Sequence, residues 1–151
     1  MLEVGNVLEL FISIGKERDN RLSITLDKDG VIGDKFYGQK ISRSVLITSI
    51  DSYKLAKLSN IDAKFSALGE NLLIDYNPYH LKVGAQLQIG NVVLEISQNC
   101  TICKSLAKID DRLPKILEND RGVFAKVVRS GTIDKSDKIY LIEIENNNGD
   151  K

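Results

Sequence analysis

The sequence predicts a mainly β protein: an antiparallel-dominated, closed or nearly closed β-barrel with two or three short helices. Short apolar runs recur along the 151 residues and are separated by turn residues, a pattern typical of barrels. Gly90-Asn91 lies between two of these runs and is a strong signal for a two-residue hairpin. No series of strands alternating with long helical segments is present, so a parallel sheet covered by helices is not expected.

The first half of the chain contains four clear strand candidates. Residues 22–26 alternate apolar and polar side chains, as a half-buried strand does, whereas residues 45–48 form an apolar run suited to a buried strand. Residues 16–21 are charged and are predicted to form a loop, and residues 27–30 to form a turn. The four candidates are residues 7–14, 22–26, 45–48 and 72–76.

A helix is predicted over residues 49–59, where apolar residues have helical spacing and Ser49 or Asp51 can cap the first turn. Two shorter helices are predicted at residues 103–108 and 113–119, the second with Pro114 in its first turn. Residues 77–79 are predicted to form a turn. The later strand candidates are residues 86–89, 92–96, 124–128 and 138–144, the last two joined through Gly131.

These strands are expected to form one barrel, because full closure leaves no exposed edge in a chain with few prolines to protect one. The strands assigned to it are residues 22–26, 45–48, 72–76, 92–98, 124–128 and 138–144. Residues 1–145 are predicted to form a single domain. The polar tail, residues 146–151, cannot bury apolar surface and is predicted to be disordered.

Composition excludes several classes of protein. Lys+Arg and Asp+Glu both number 21, so neither nucleic acid nor an anionic membrane is an expected partner. Two cysteines do not make a disulfide framework, which indicates a reducing compartment. No signal peptide is recognisable, and no apolar run approaches the roughly 20 residues that span a bilayer. A cytoplasmic location is therefore predicted.

Both cysteines, Cys100 and Cys103, lie where a predicted strand gives way to a predicted helix. The amides at a helix N-terminus and the neighbouring Lys104 favour the thiolate, the form that acts as nucleophile or soft-metal ligand. A purely apolar, buried role for these thiols stays open. One CxxC pair and the single histidine, His80, do not supply four zinc ligands, and no phosphate-binding glycine motif is present.

Several short motifs together are more specific than any one of them. Gly33-Asp34 is followed by Arg43, then by Gly69-Glu70-Asn71-Leu72, by Cys103 and by Arg121-Gly122. In this order and spacing the chain resembles the MOSC family, named for the C-terminal domain of molybdenum cofactor sulfurase. The resemblance covers residues 5–144, and its most specific piece is Gly-Glu-Asn-Leu with a cysteine about thirty residues later.

The resemblance implies a β-barrel-like fold, binding of the molybdenum cofactor (molybdopterin) or its precursor, and one functional cysteine. Cys103 matches that cysteine, which carries sulfur as a persulfide or ligates molybdenum, and either role suits a soft thiolate. A cofactor-biosynthesis or sulfur-donor protein is the implied partner, and the family is also associated with pyridoxal phosphate. Arg43, Lys104 and Arg121 have the charge to bind a phosphate. The implied cofactor-binding residues are Asp34, Arg43, Glu70, Asn71, Lys104 and Arg121.

Other interpretations remain open. The CxxC pair also suits a thiol–disulfide oxidoreductase, although it lies far from the start of the chain and outside a βαβ unit. A sulfur transferase or another cofactor-dependent activity is the first possibility, the redox protein the second and a non-catalytic binding module the third. Asp34 can equally cap a turn, and Glu70 and Asn71 can be buried polar groups that hold a loop. Phe36 stands where many family members have histidine, which removes an acid–base group.

Overall fold

The computed structural model describes residues 1–100, 104–118 and 120–142, with only the backbone for residues 104 and 105. Within these ranges the chain forms eleven strands and three α-helices, together with the 3-10 helices Ile41–Arg43 and Pro78–His80. In chain order the elements are β1 (Leu2–Ile14), β2 (Glu17–Arg21), β3 (Ser23–Asp27), β4 (Gly30–Val31), β5 (Val45–Ser49), α1 (Ile50–Leu58), β6 (Leu72–Ile74), β7 (Gln86–Ile89), β8 (Val92–Asn99), α2 (Lys104–Ile109), α3 (Leu113–Ile116), β9 (Val123–Arg129), β10 (Gly131–Asp134) and β11 (Lys138–Ile142).

Seven strands form a closed barrel in the order β11-β7-β8-β9-β5-β6-β1, and β1 closes the ring by pairing with β11. Neighbouring strands are antiparallel except β5 and β6, which are parallel and are connected through α1. The long strand β1 pairs in turn with β11, β6 and β2. The predicted mainly β, antiparallel-dominated barrel with short helices is confirmed, with one parallel pair that makes the sheet mixed.

The barrel interior is filled by aliphatic side chains that are fully buried, among them Leu10, Ile47, Leu72 and Leu94. Burying each such side chain stabilises the fold by about 1.5–3 kcal/mol. A second, smaller cluster packs α1 against α2 and α3 through Ala56, Ile61, Leu106, Leu113 and Leu117. This cluster fixes the helices beside the sheet.

The structure corrects two predictions about strands. Residues 16–21, predicted to be a loop, contain β2, which forms a hairpin with β1 around Gly15 at φ 60°. Strand pairing is made by the backbone, so charged side chains at a sheet edge do not prevent it. The strand predicted at residues 22–26 is present as β3, Ser23–Asp27, but β3 belongs to a separate three-stranded sheet, β10-β3-β4, instead of the barrel. This small sheet packs its apolar face onto the barrel core through Ile24, Leu26 and Ile133.

Local signals gave correct elements elsewhere. The Ser49 hydroxyl accepts a hydrogen bond from the Asp51 amide at 3.0 Å and caps α1, and β7 and β8 form the hairpin expected around Gly90-Asn91. Both short helices after the cysteines are present. The second of them ends at Ile116 and not at the predicted Asn119, because residues 117 and 118 form a turn. The predicted start at Cys103, the last residues of the final strand and the tail at 146–151 lie outside the described residues. None of the helices described is sufficiently long and apolar to cross a membrane.

Candidate functional site

A cavity of about 680 Å³ runs across five neighbouring strand positions of the sheet. Moving along the sheet, its wall is formed in turn by Phe124 on β9, Leu46 on β5, Asn71 just before β6, Ser13 on β1 and Arg18 on β2. At about 4.8 Å per strand the wall extends about 19 Å along the curved sheet. The cavity is therefore elongated, and its volume suits a small-molecule ligand.

Positive charge dominates the lining of this cavity. Five basic side chains border it, and Asp34 is the one acidic side chain among its lining residues. Within the described ranges, none of the five lies within ion-pair distance of a carboxylate. Such a concentration of unneutralised charge in a concave site attracts anions. The five basic residues are Arg18, Lys35, Lys40, Arg43 and Lys64.

Arg43 is held at the β9 end of the cavity by an aromatic ring. Its guanidinium carbon lies 5.4 Å from the centroid of the Phe124 ring, a cation–π contact that attracts the charged group to the ring face. The buried Nε of Arg43 has no hydrogen-bond partner among the described residues. The apolar surface beside it comes from Leu46, Leu68 and Leu106. Arg43 is therefore positioned to bind an anion against an apolar wall.

Asp34, which is buried at the edge of the cavity, accepts hydrogen bonds from three groups of the chain itself. Its Oδ1 accepts from the Ser13 amide at 2.6 Å and from the side-chain amide of Asn71 at 3.3 Å. Its Oδ2 accepts from the Phe36 amide at 3.1 Å. The carboxylate thus ties the loop after β4 to β1 and shapes the cavity.

Asn71 joins three segments of chain at the same edge. Its Oδ1 accepts from the Leu46 amide at 3.1 Å, and its Nδ2 donates to the Phe11 carbonyl at 3.2 Å as well as to Asp34. Because the side chain is 6% exposed, these bonds are made away from bulk water and each lost partner would be costly. Asn71 therefore holds β1, β5 and the loop of Asp34 in register.

Glu70 lies behind the cavity and is fully buried. Its Oε2 accepts from the Tyr53 hydroxyl at 2.6 Å and from the Ser66 amide at 2.9 Å, whereas its Oε1 has no partner among the described residues. Desolvation raises the pKa of the Glu70 carboxyl above its usual range, and burial together with this carboxyl raises that of the Tyr53 hydroxyl. Glu70 anchors residues 66–69, part of the cavity wall.

Arg18 occupies the β2 end of the cavity. Its guanidinium donates to the Ser13 hydroxyl and to the Glu70 carbonyl, and its Nε is buried without a partner among the described residues. Desolvation lowers the pKa of Arg18, while the charges of Glu70 and Asp34 act in the opposite direction. The side chain is thus fixed by the protein on one side and borders the cavity on the other.

Cys100 connects the large cavity to a second, smaller one. Its side chain is half-buried and lines both spaces, and its amide donates to the Gly122 carbonyl at 2.9 Å. The small cavity, of about 20 Å³, is also bordered by Arg121, which donates to the Pro114 carbonyl at 2.7 Å. Its volume is sufficient for about one water molecule.

The comparison that decides the family is a model of the MOSC domain, which matches residues 28–140. The chain belongs to the MOSC family. This family is associated with binding of the molybdenum cofactor. A search of curated proteins finds no match.

Solved structures support the MOSC fold. The YuaD protein from Bacillus subtilis is 18% identical with a TM-score of 0.79, and the match covers 90% of this chain and 94% of that chain. YiiM from Escherichia coli is 18% identical with a TM-score of 0.68, and the match covers 92% of this chain and 70% of that one. YiiM from Geobacillus stearothermophilus is 15% identical with a TM-score of 0.64, covering 94% and 75%. These identities establish similarity of fold alone.

The residues matched to the MOSC motifs do not all meet in one space. Asp34, Arg43 and Asn71 line the large cavity, Glu70 lies behind it, and Arg121 borders the small cavity. The thiol of Cys103 and the side chain of Lys104 lie outside what the structure describes. Among the described residues, no cluster of three or more His, Cys, Asp or Glu side chains could hold a metal ion.

Arg18 is one of several cavity residues that the sequence does not predict, because residues 16–21 are expected to form a loop. One signal pointed to its true place: Gly15-Lys16 forms a two-residue connection between Ile14 and Glu17, and a glycine at the first position is typical of a tight hairpin. Phe36, the position where many MOSC proteins have histidine, contributes an exposed ring to the cavity, with the Lys35 ammonium 5.0 Å from its centroid.

Proposed function

We propose that this MOSC protein binds the molybdenum cofactor or its precursor in the large cavity and carries or delivers sulfur through Cys103. The observation that carries the proposal is the elongated cavity itself. It combines apolar walls with five basic side chains, and three residues matched to the MOSC motifs line it. The cofactor is an elongated anion: one end is a flat pterin, and the other end carries both the phosphate and the metal-bound dithiolene, so its chemistry fits this apolar and basic lining.

Arg43 is the residue best placed to hold the cofactor phosphate. Its guanidinium is oriented by Phe124, and Lys40 lies in the same lining. Hydrogen bonds between charged groups contribute about 1.5–3 kcal/mol each. Leu46 and Leu68 offer apolar surface to the pterin. When bound, the cofactor would supply a soft metal centre that accepts a thiolate ligand.

Asp34, Glu70 and Asn71 support the cavity in this proposal by fixing its walls. They accept hydrogen bonds from backbone amides. Asn71 also donates to the Phe11 carbonyl and to Asp34, and Glu70 accepts from the Tyr53 hydroxyl. The sulfur chemistry is assigned to Cys103, which follows the cavity residue Cys100 by three positions in the sequence. Lys104 and Arg121 would favour its thiolate by their charge.

Cofactor binding is tested by molybdenum and pterin analysis of protein purified anaerobically from a cofactor-producing host. The wild-type protein should retain the pterin, and Arg43→Ala should retain about tenfold less, because one charge-assisted bond is worth at least about 1.4 kcal/mol. Arg129→Ala is the matched control, since Arg129 is exposed and bonds to the Asn91 carbonyl. A wild-type protein without pterin, or equal retention in both variants, would contradict the proposal. If the purified protein instead contains pyridoxal phosphate, that molecule is the cofactor, and its phosphate group would make the contacts assigned here to the molybdopterin phosphate.

Sulfur transfer is tested separately, by measuring cyanide-labile sulfur on the protein after incubation with a sulfur-donor protein. Cys103→Ser should lose this sulfur and keep the pterin, whereas the matched variant Cys100→Ser should keep both. Equal loss in the two variants would favour a dithiol redox protein, since a redox pair needs both thiols. Full function of Cys103→Ser would favour a non-catalytic binding module.

A further inference from the structure

The two arginines that line the large cavity belong to different parts of the fold. Arg43 stacks on Phe124 of β9, whereas Arg18 lies on β2. Three strands, β5, β6 and β1, separate β9 from β2, so the two side chains enter the cavity from opposite ends of its wall. Their immediate surroundings also differ, because Arg18 contacts Ser13 and the Glu70 carbonyl whereas Arg43 contacts an aromatic ring.

Arg18 is a half-buried cation with no carboxylate within ion-pair distance among the described residues. Arginines removed from water are normally paired with an anion. The contacts that Arg18 does make, to the Ser13 hydroxyl and the Glu70 carbonyl, are to neutral acceptors. They hold the guanidinium in place and use two of its five N–H donors.

Ser13 completes this end of the cavity. It pairs directly with Arg18 across the β1–β2 ladder, and its side chain lines the same space. Asp34 binds the Ser13 amide, so the hydroxyl and the guanidinium are held on rigid strands. A fixed donor pair of this kind binds an anion with little loss of side-chain freedom.

We propose that Arg18 and Ser13 form a second anion-binding end of the cavity, so that the cavity selects ligands with an anionic group at each end. The inference rests on the proposed function only in taking this cavity as the ligand site. A ligand bound at both ends gains from the high effective concentration of its second group. A ligand with a single anionic group does not.

The test uses the full chain labelled with ¹⁵N and follows the Nε–Hε resonances of its six arginines by NMR. The probes are methylphosphonate, with one anionic group, and a series of α,ω-alkanediyl bisphosphonates with spacers of increasing length. Methylphosphonate should move the resonances of both Arg18 and Arg43. The best bisphosphonate should bind at least about tenfold more tightly than methylphosphonate, with affinity passing through a maximum as the spacer lengthens.

Arg18→Met should abolish the bisphosphonate advantage and leave binding at Arg43 within about twofold of its original value. Arg21→Met is the matched control, because Arg21 lies on the same strand, is exposed and pairs with Asp19. If only the Arg43 resonance moves and the bisphosphonates bind no better, the second end is refuted while the proposed function stands. If neither resonance moves, both are refuted. The spacer series on the unmodified protein decides the question even if Arg18→Met fails to fold.

Discussion

Asn71→Leu is the substitution that most directly separates a structural role from a ligand-binding role at this site. The side chain is 6% exposed, and leucine has a similar size but no polar atom. The change removes the acceptor of the Leu46 amide and the donors to the Phe11 carbonyl and to Asp34. The Leu46 amide and the Phe11 carbonyl would then lack their side-chain partner at the junction of β1 and β5.

The expected cost follows from these lost contacts. Leaving one buried polar group unsatisfied costs about 1–3 kcal/mol, and two backbone groups are affected. Burial of the leucine side chain returns about 1.5–3 kcal/mol. The free energy of unfolding should therefore fall by about 2 kcal/mol, a large part of the stability of a single domain.

Urea denaturation at neutral pH, followed by far-UV circular dichroism, measures this loss. Asn20→Leu is the control, because Asn20 is exposed and bonds to Glu9 and to the Leu10 carbonyl, so its loss should stay within about 0.5 kcal/mol. The slope of the unfolding free energy against urea should be unchanged in both variants. A stability equal to that of wild type, combined with loss of phosphonate binding, would refute the structural role and make Asn71 a ligand contact.

Three further predictions test other parts of the site. Glu70→Gln can keep both hydrogen bonds at the Oε2 position. The stability of the wild type should therefore fall relative to that of the variant as the pH rises from 4.5 through the raised pKa of Glu70, by up to about 1.4 kcal/mol per pH unit. Parallel pH profiles of the two proteins in urea titrations would contradict this. Gly122→Ala would place a Cβ 2.6 Å from the Ile47 carbonyl oxygen and should lower the free energy of unfolding by about 1–3 kcal/mol. An unchanged midpoint of thermal unfolding would show that the chain at this position shifts freely to make room for the methyl group. Thiol labelling of the single Cys→Ser variants as a function of pH should be faster at Cys103 than at Cys100, because Cys103 is predicted to lie at a helix start; a faster Cys100 would overturn that assignment.

Elements with local signals were predictable from the sequence. Helix α1 carries its own cap in Ser49, and the β7–β8 hairpin carries its turn in Gly90-Asn91. Strand β2 has no apolar alternation to reveal it, because it pairs as a charged edge on the long strand β1. Strand β3 was recognised, yet its place in a second sheet depends on pairing with the distant β10, which no local pattern encodes.

The candidate site was predictable in part for the same physical reason. Motif spacing selected Asp34, Arg43 and Asn71, and all three border one cavity. It could not tell whether a polar side chain faces a ligand or the backbone, and Asp34 and Asn71 make several bonds to the backbone. Arg18 reaches the cavity only because β2 folds back on β1, so its contribution follows from tertiary structure.

The pairing of β1 with β11 has a consequence for how fast the barrel can assemble. Leu2 lies opposite Leu141, so the ring closes only when segments from the two ends of the described chain meet. Such long sequence separation makes folding slow, in the range of milliseconds to seconds for proteins rich in non-local strand pairs. Until that contact forms, β11 and β1 each present an unpaired edge that other chains can capture. During synthesis these edges stay unpaired at least until β11 has emerged from the ribosome.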